Sequence, residues 1–337
     1  MTAASRGRRG AGIVMLGAAS LLVAVAVASA TDLGLITGGE GGAYHQIGQD
    51  LKHLLRPRGI NITVHASKGA VDNIHAVSQR PGVQLAIVQS DVLAFVAEQQ
   101  SNPAIARVAQ GIRLVFPLFD EEVHVLARRE VASFDALAGK RVAIGREGSG
   151  TYLTARLLFK LAAIVPGEMV ATDGGEALAQ LKAGRIDAMI SVIGQPVVRF
   201  RDIKPEENLV LLPITTPAIV ERYEPVEIPG ETYGWQTAPV STVAVKAVLV
   251  TYDVNGRDCE TIGRVAQHIA SGLDWLVKNG HPQWKRVDLG RAVKGWEQYD
   301  CVRKYAGQPA DTGSPAASAG DRNPIADAIN DALRNKP

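Results

Sequence analysis

The chain of 337 residues reads as an α/β protein of two lobes, the second inserted into the first, and three observations lead there. Strand-like and helix-like segments alternate from residue 32 onward, the alternation restarts near residue 112, and a strand-rich stretch follows the second set near 236–250. Alternation of this kind calls for a parallel sheet with helices on both faces and right-handed crossovers. With 46% apolar and 21% charged residues the chain has ordinary material for globular cores.

The first lobe opens with the apolar run DLGLITG, followed by helical spacing over Tyr44 to Leu55. GINITVHAS then alternates as a strand, Val71 to Ser78 forms a short helix, and VQLAIVQ is continuously apolar, as buried parallel strands are. In the second set GIRLVFPLFDEEVHVLARR holds two extended segments, and FDALAGKRVAIG a short helix and a strand. GSGTYLTARLLFKLA reads as a helix, EALAQLKAGRIDAMISVI as a helix running through Gly184 into a strand, and Gln195 to Phe200 as a short helix. Asp258 to Lys278 is an amphipathic helix that packs back on the first lobe. The lobes are then 31–118 with 241–305, and 119–240, joined by crossings near 113–127 and 236–250 that act as a hinge.

The first thirty residues form an export signal: Arg6, Arg8 and Arg9 precede an apolar stretch that ends in Ala28-Ser29-Ala30. A retained anchor is the alternative, because Ala11 to Ala30 is long enough to span a bilayer. The net charge of +2 includes those three arginines and no acid from that segment, which leaves −1 for the rest and no basic field for nucleic acid. Residues 306–337 are rich in Ala, Gly, Pro and Ser, a composition that orders poorly, with a short helix near the end. Cys259 and Cys301 are the only cysteines; in an exported chain they permit one disulfide, and two separate buried thiols are the alternative.

Polar loops carry the candidate chemistry. They are Gly38 to Tyr44, Ser67-Lys68 with Asn73, Gln89-Ser90-Asp91, and Gly148-Ser149-Gly150-Thr151. In open α/β sheets such loops meet outside the carboxyl ends of the strands. A helix start with nearby hydroxyls suits a carboxylate, and Lys68 adds positive charge. Ser67, Ser149 and Asp91 have an equally good reading as helix caps. Enzyme signatures are missing: GREGSGT lacks the phosphate-binding lysine, GEGGAY is no dinucleotide fingerprint, and Gly-x-Ser-x-Gly does not occur. The seven histidines show no metal-pair spacing, so neither a metal nor a cofactor is expected.

Taken in order, these loops resemble the TAXI family of TRAP-transporter solute receptors, over roughly residues 33 to 300. The resemblance is carried by Gly41-Gly42-Ala43-Tyr44, Ser67 to Asn73, Gln89-Ser90-Asp91, Gly148 to Thr151, Val123 to Arg128 and the Gly-x-Pro at Gly194-Gln195-Pro196. It implies a type II-like periplasmic binding protein fold, with two mixed sheets flanked by helices and joined by two crossing strands. It also implies a non-enzymatic receptor that captures an organic anion or amino acid and hands it to a TRAP-type membrane permease. Its ligand residues on this chain are Gly42, Tyr44, Ser67, Lys68, Asn73, Gln89, Ser90, Asp91, Gly148, Ser149, Gly150, Thr151, Gly194 and Gln195. The chain departs from the family at His45, Gln195 and Lys68. Two other classes stay open: a ligand-sensing ectodomain, and an exported enzyme using Asp91 or His124 as acid or base.

Overall fold

The computed structural model describes residues 1–2, 31–98, 103–253 and 256–306. The export segment beyond Thr2 and the tail beyond Ala306 lie outside the described residues. Strand β1 (Thr31–Ile36), helix α1 (Ala43–Leu55), β2 (Ile60–His65), α2 (Ala70–Gln79) and β3 (Leu85–Gln89) follow the predicted βαβαβ order. β1 lies between β2 and β3 and is parallel to both. Helices α3 (Ser90–Glu98) and α4 (Pro103–Gly111) lead into β4 (Ile112–Arg128).

β4 corrects one expectation: a single 17-residue strand replaces the two extended segments. It stays unbroken because β10 accompanies it over most of its length. The ladder shifts register between Lys246 and Val248, where Val248 faces Pro117, a residue with no N–H to give.

The second lobe contains β5 (Arg141–Ala143), α5 (Gly150–Leu161), β6 (Glu168–Val170), α6 (Gly174–Lys182) and β7 (Ala188–Ile193). β8 (Leu209–Leu211), α7 (Pro217–Val220) and β9 (Glu224–Ile228) complete it before β10 (Val240–Tyr252) returns. Helix α6 stops at Lys182 rather than running through Gly184, and only Val198–Phe200 of the stretch from Gln195 is helical, as a 3₁₀ turn. The closing elements are α8 (Cys259–Ser271), α9 (Leu273–Asn279), a 3₁₀ turn at Pro282–Arg286 and α10 (Asp300–Ala306). The helix expected over 258–278 is thus two helices, parted at Gly272, where the backbone presses on Leu54 of α1.

The strands run β2-β1-β3-β10-β4-β7-β5-β6, with β8 on β4 and β9 on β10. β4 and β10 pair antiparallel and belong to both halves, so the ladder passes from one lobe to the other, with register shifts at Lys246/Val248 and Leu249/Val250. Apolar clusters fill both sides. Leu35, Ile47, Phe116, Phe119, Ile262 and Trp284 anchor one face of the first lobe, and Val88, Leu93, Leu114 and Val250 the other. Val125, Ile144, Leu158 and Ile190, then Leu126, Met189, Phe200 and Tyr233, do the same for the second. Leu153 and Leu157 of α5 belong to the first-lobe cluster, which makes the lobe interface apolar at its centre. Cys259 and Cys301 form a disulfide that ties α8 to α10, with Cα atoms 5.2 Å apart. No helix among the described residues is long and apolar enough to cross a membrane.

Candidate functional site

A cavity of about 130 Å³ lies between the lobes. The first lobe contributes Gly38, Gly42, Ala43, Tyr44, Gly69, Ala70 and Gln89, the crossing strand Glu121, and the second lobe Ser149, Gly150, Thr151, Val192 and Ile193. Three helices start on its wall: α1 after Gly42, α2 after Gly69 and α5 after Ser149. The first amides of a helix have no intrahelical acceptor and carry partial positive charge. Neither Gly42 nor Gly69 offers a capping side chain, whereas Ser149 Oγ accepts the Tyr152 N–H at 3.1 Å. Gly69 has φ +133, a conformation side chains resist, and a Cβ there would stand 3.0 Å from Ser149 Cα across the cleft.

The lobes touch around this cavity. The Asp72 N–H donates to the Gly148 carbonyl at 3.2 Å, and Thr154 Oγ1 donates to Asp91 Oδ2 at 2.6 Å. Gly150 sits so close to Gln89 that a Cβ on it would fall 1.5 Å from Gln89 Oε1. The glycine at the head of α5 is therefore what admits the glutamine side chain.

Glu121 is the acidic residue of the lining. Side chains alternate along a strand, so Asp120 and Glu122 face away from it, where Asp120 pairs with Lys246 and Glu122 with Arg286. Glu121 has hydrogen-bond donors in place of a cation: the Tyr44 hydroxyl at 2.6 Å and Gln89 Nε2 at 2.9 Å, both to Oε2. Burial pushes its carboxyl from 4.5 up to about 8; the two hydrogen bonds oppose the rise, and the charges of Asp91 and Glu122 add to it. Burial, and then Glu121, hold the Tyr44 phenol well above its ordinary value. Gln89 is 3% exposed, and its Oε1 has no hydrogen-bond partner among the described residues.

Of the residues expected at a ligand site, Gly42, Tyr44, Gln89, Ser149, Gly150 and Thr151 come together on this cavity. The others lie outside its lining. Ser67 Oγ accepts the Gly69 N–H and lies 2.6 Å from Asn73 Oδ1, and buried Asn73 donates to the Ile87 carbonyl, so this pair shapes the loop that starts α2. Lys68 is exposed and packs along Gly148. Ser90 accepts the Lys246 N–H, and Asp91, lifted to about 6 chiefly by burial, accepts from Thr154. Gly194 and Gln195 face the other side of β4, where the Gln195 N–H donates to Glu122 and Gln283 presses on Gly194. His124 is also away from the cavity. Its Nδ1 is 3.0 Å from the Glu122 carbonyl and its Nε2 2.9 Å from the Tyr233 hydroxyl, and burial lowers it to about 4.

Glu121 was missed by sequence reasoning, as were Gly69, Ala70, Val192 and Ile193. The signal for Glu121 was present: three successive acids interrupt a mostly apolar strand, and the middle one must point opposite to its neighbours.

A family model described as NMT1-like matches residues 35–296. The chain belongs to the NMT1-like family. Among solved structures, MatC from Rhodopseudomonas palustris with bound malate is similar at 17% identity and TM-score 0.52, over 89% of this chain and 99% of that one. The periplasmic binding protein BugD aligns at 11% identity and TM-score 0.47, over 75% and 83%. A periplasmic sulfonate-binding protein SsuA from Methylobacillus flagellatus aligns at 12% and 0.44, over 74% and 71%. The similarity to MatC is one of fold, and it matches the two-lobed α/β architecture predicted for this NMT1-like chain.

Proposed function

We propose that the protein is an extracytoplasmic solute-binding receptor. It captures a small organic anion or amino acid, glutamate-like or a dicarboxylate or oxoacid, between lobes 31–118 with 241–305 and 119–240, and delivers it to a TRAP-type membrane permease as a member of the TAXI family. One observation carries the reading: three helix N-termini, drawn from both lobes, converge on one interlobe cavity. Their amides supply donors and partial positive charge for a carboxylate without a lysine or arginine in the lining. Contacts made to both lobes at once are what a ligand needs to favour the closed arrangement. The malate bound to MatC supports the carboxylate assignment by analogy of fold. Asp91 and His124, the acid–base candidates, lie outside the cavity lining, in keeping with binding rather than turnover.

Calorimetry on the chain from Thr31 tests this. Carboxylate-bearing solutes should bind, and Ser149→Ala should weaken them about tenfold through the lost hydroxyl and loosened amides of α5, with about 1 kcal/mol of stability lost with the cap. Unchanged affinity in Ser149→Ala would remove α5 from the site. Transport into vesicles only when the receptor and a TRAP-type permease are both present tests delivery.

A further inference from the structure

A carboxylate receptor with a buried carboxyl in its own cavity calls for an explanation. Glu121 lies on the cavity wall with no cation paired to it among the described residues: Tyr44 of α1 and Gln89 of β3 reach its Oε2, and the charges that bear on it, Asp91 of α3 and Glu122 of β4, are both negative. The residues that α2, α5 and β7 turn toward the cavity are uncharged. Beside Glu121 stands Gln89 Oε1, buried and unpartnered among the described residues. The Gln89 amide is oriented by its bond to Glu121, so the atom it leaves over is an acceptor. The cavity therefore offers helix amides to an anion and, once Glu121 gives up its proton, two acceptors, Glu121 and Gln89 Oε1, to a donor.

On the receptor reading, we propose that Glu121 is the specificity-determining residue, selecting solutes that carry an ammonium group beside their carboxylate, amino-acid zwitterions, over plain dicarboxylates and oxoacids. The ammonium supplies the missing cation, and its remaining hydrogens satisfy Gln89 Oε1. A solute carrying only carboxylates brings no cation to draw the proton from Glu121 and leaves Gln89 Oε1 without a donor.

The geometry has a proton signature. In the empty cavity burial lifts Glu121 to about 8, so at pH 7 it holds its proton. Seating an ammonium favours the carboxylate; Glu121 ionises, and the proton leaves to solvent. A dicarboxylate leaves that proton in place. Amino-acid affinity should accordingly rise from pH 6 to 8 and level off above, while dicarboxylate affinity stays flat and then declines.

The test is calorimetry at pH 7, in two buffers of different ionisation enthalpy, with glutamate against glutarate and aspartate against succinate. The amino acid should bind at least about tenfold tighter than its deaminated partner, the scale of one charge-assisted hydrogen bond, and release about one proton. Glu121→Gln should bring each pair to within about threefold and abolish the release. Equal or tighter binding of glutarate and succinate, absence of proton release, or an unchanged ratio in a folded Glu121→Gln overturns the proposal. If Glu121→Gln does not fold, the wild-type ratio and proton count decide alone. Dicarboxylate binding without amino-acid binding refutes the role of Glu121 and leaves the receptor standing; no binding by either series refutes both.

Discussion

Raising the pH from 6.5 to 8 should destabilise the ligand-free protein, and the cause is one carboxyl. Glu121 is raised from 4.5 to about 8 by burial. In the unfolded chain it has lost its proton by pH 6.5; in the folded chain it keeps it until about 8. The folded state thus binds more protons than the unfolded one across this window, and stability falls as pH rises. One proton corresponds to about 1.4 kcal/mol per pH unit, and because the carboxyl is half ionised by pH 8 the window removes about 1.5 kcal/mol. Below it the balance is mixed, because Asp91 titrates near 6 in the same direction and His124, lowered to about 4, in the opposite one. Glu98, half-buried and lifted to about 7, adds a smaller amount of the same sign. Urea unfolding at pH 6.5 and pH 8 reads the difference directly. Glu121→Gln, which cannot ionise, should lose most of it. A stability that is flat or rises between the two pH values in the wild type would refute the assignment of a neutral, buried Glu121.

Other outcomes follow from named contacts. Gly150→Ala places a methyl 1.5 Å from Gln89 Oε1; the glutamine must leave Glu121, and solute affinity should fall about tenfold or more while stability drops about 1–3 kcal/mol, checked by calorimetry and urea unfolding together. Thr154→Val removes the donor to buried Asp91 across the lobe interface and should cost about 1–3 kcal/mol in the same unfolding assay, with weaker solute binding. Replacing Cys259 and Cys301 by serine opens a bridge spanning 42 residues and should lower stability by about 2–4 kcal/mol without changing solute selectivity, read by chemical unfolding and calorimetry.

The architecture was legible because each βα unit states its period locally: VQLAIVQ becomes the fully buried β3, and the apolar spacing from Tyr44 becomes the buried face of α1. The length of β4 was not legible: Ile112 to Arg128 reads as two extended segments, and only the pairing with β10 makes it one strand. Less accessible were breaks set by partners far along the chain. Gly272, between α8 and α9, has no room for a side chain because Leu54, more than two hundred residues earlier, occupies the space beside it. The site divides in the same way. Backbone-rich loops at helix starts announce themselves through glycine and serine, and Gly42, Ser149, Gly150 and Thr151 do line the cavity. Polar side chains in those loops do not announce which way they turn. Asn73 reads as a ligand residue yet is spent on the Ile87 carbonyl, and Asp91 on Thr154. Glu121 sits inside a strand, where its face depends on which neighbours find cations: Lys246 and Arg286 come from distant segments and fix Asp120 and Glu122 on the opposite side.

The measurement that bears most directly on the receptor reading is a thermal-shift screen of Thr31 to Pro337 against amino acids, dicarboxylates, oxoacids and neutral sugars. A ligand that binds only the folded state raises the midpoint by mass action, by about 2.7 kcal/mol of added stability at a hundred times its Kd. The midpoint should rise with carboxylate-bearing solutes, most for those that also carry an ammonium group, and stay unchanged with sugars. A panel without any shift, or a shift confined to neutral sugars, would contradict it.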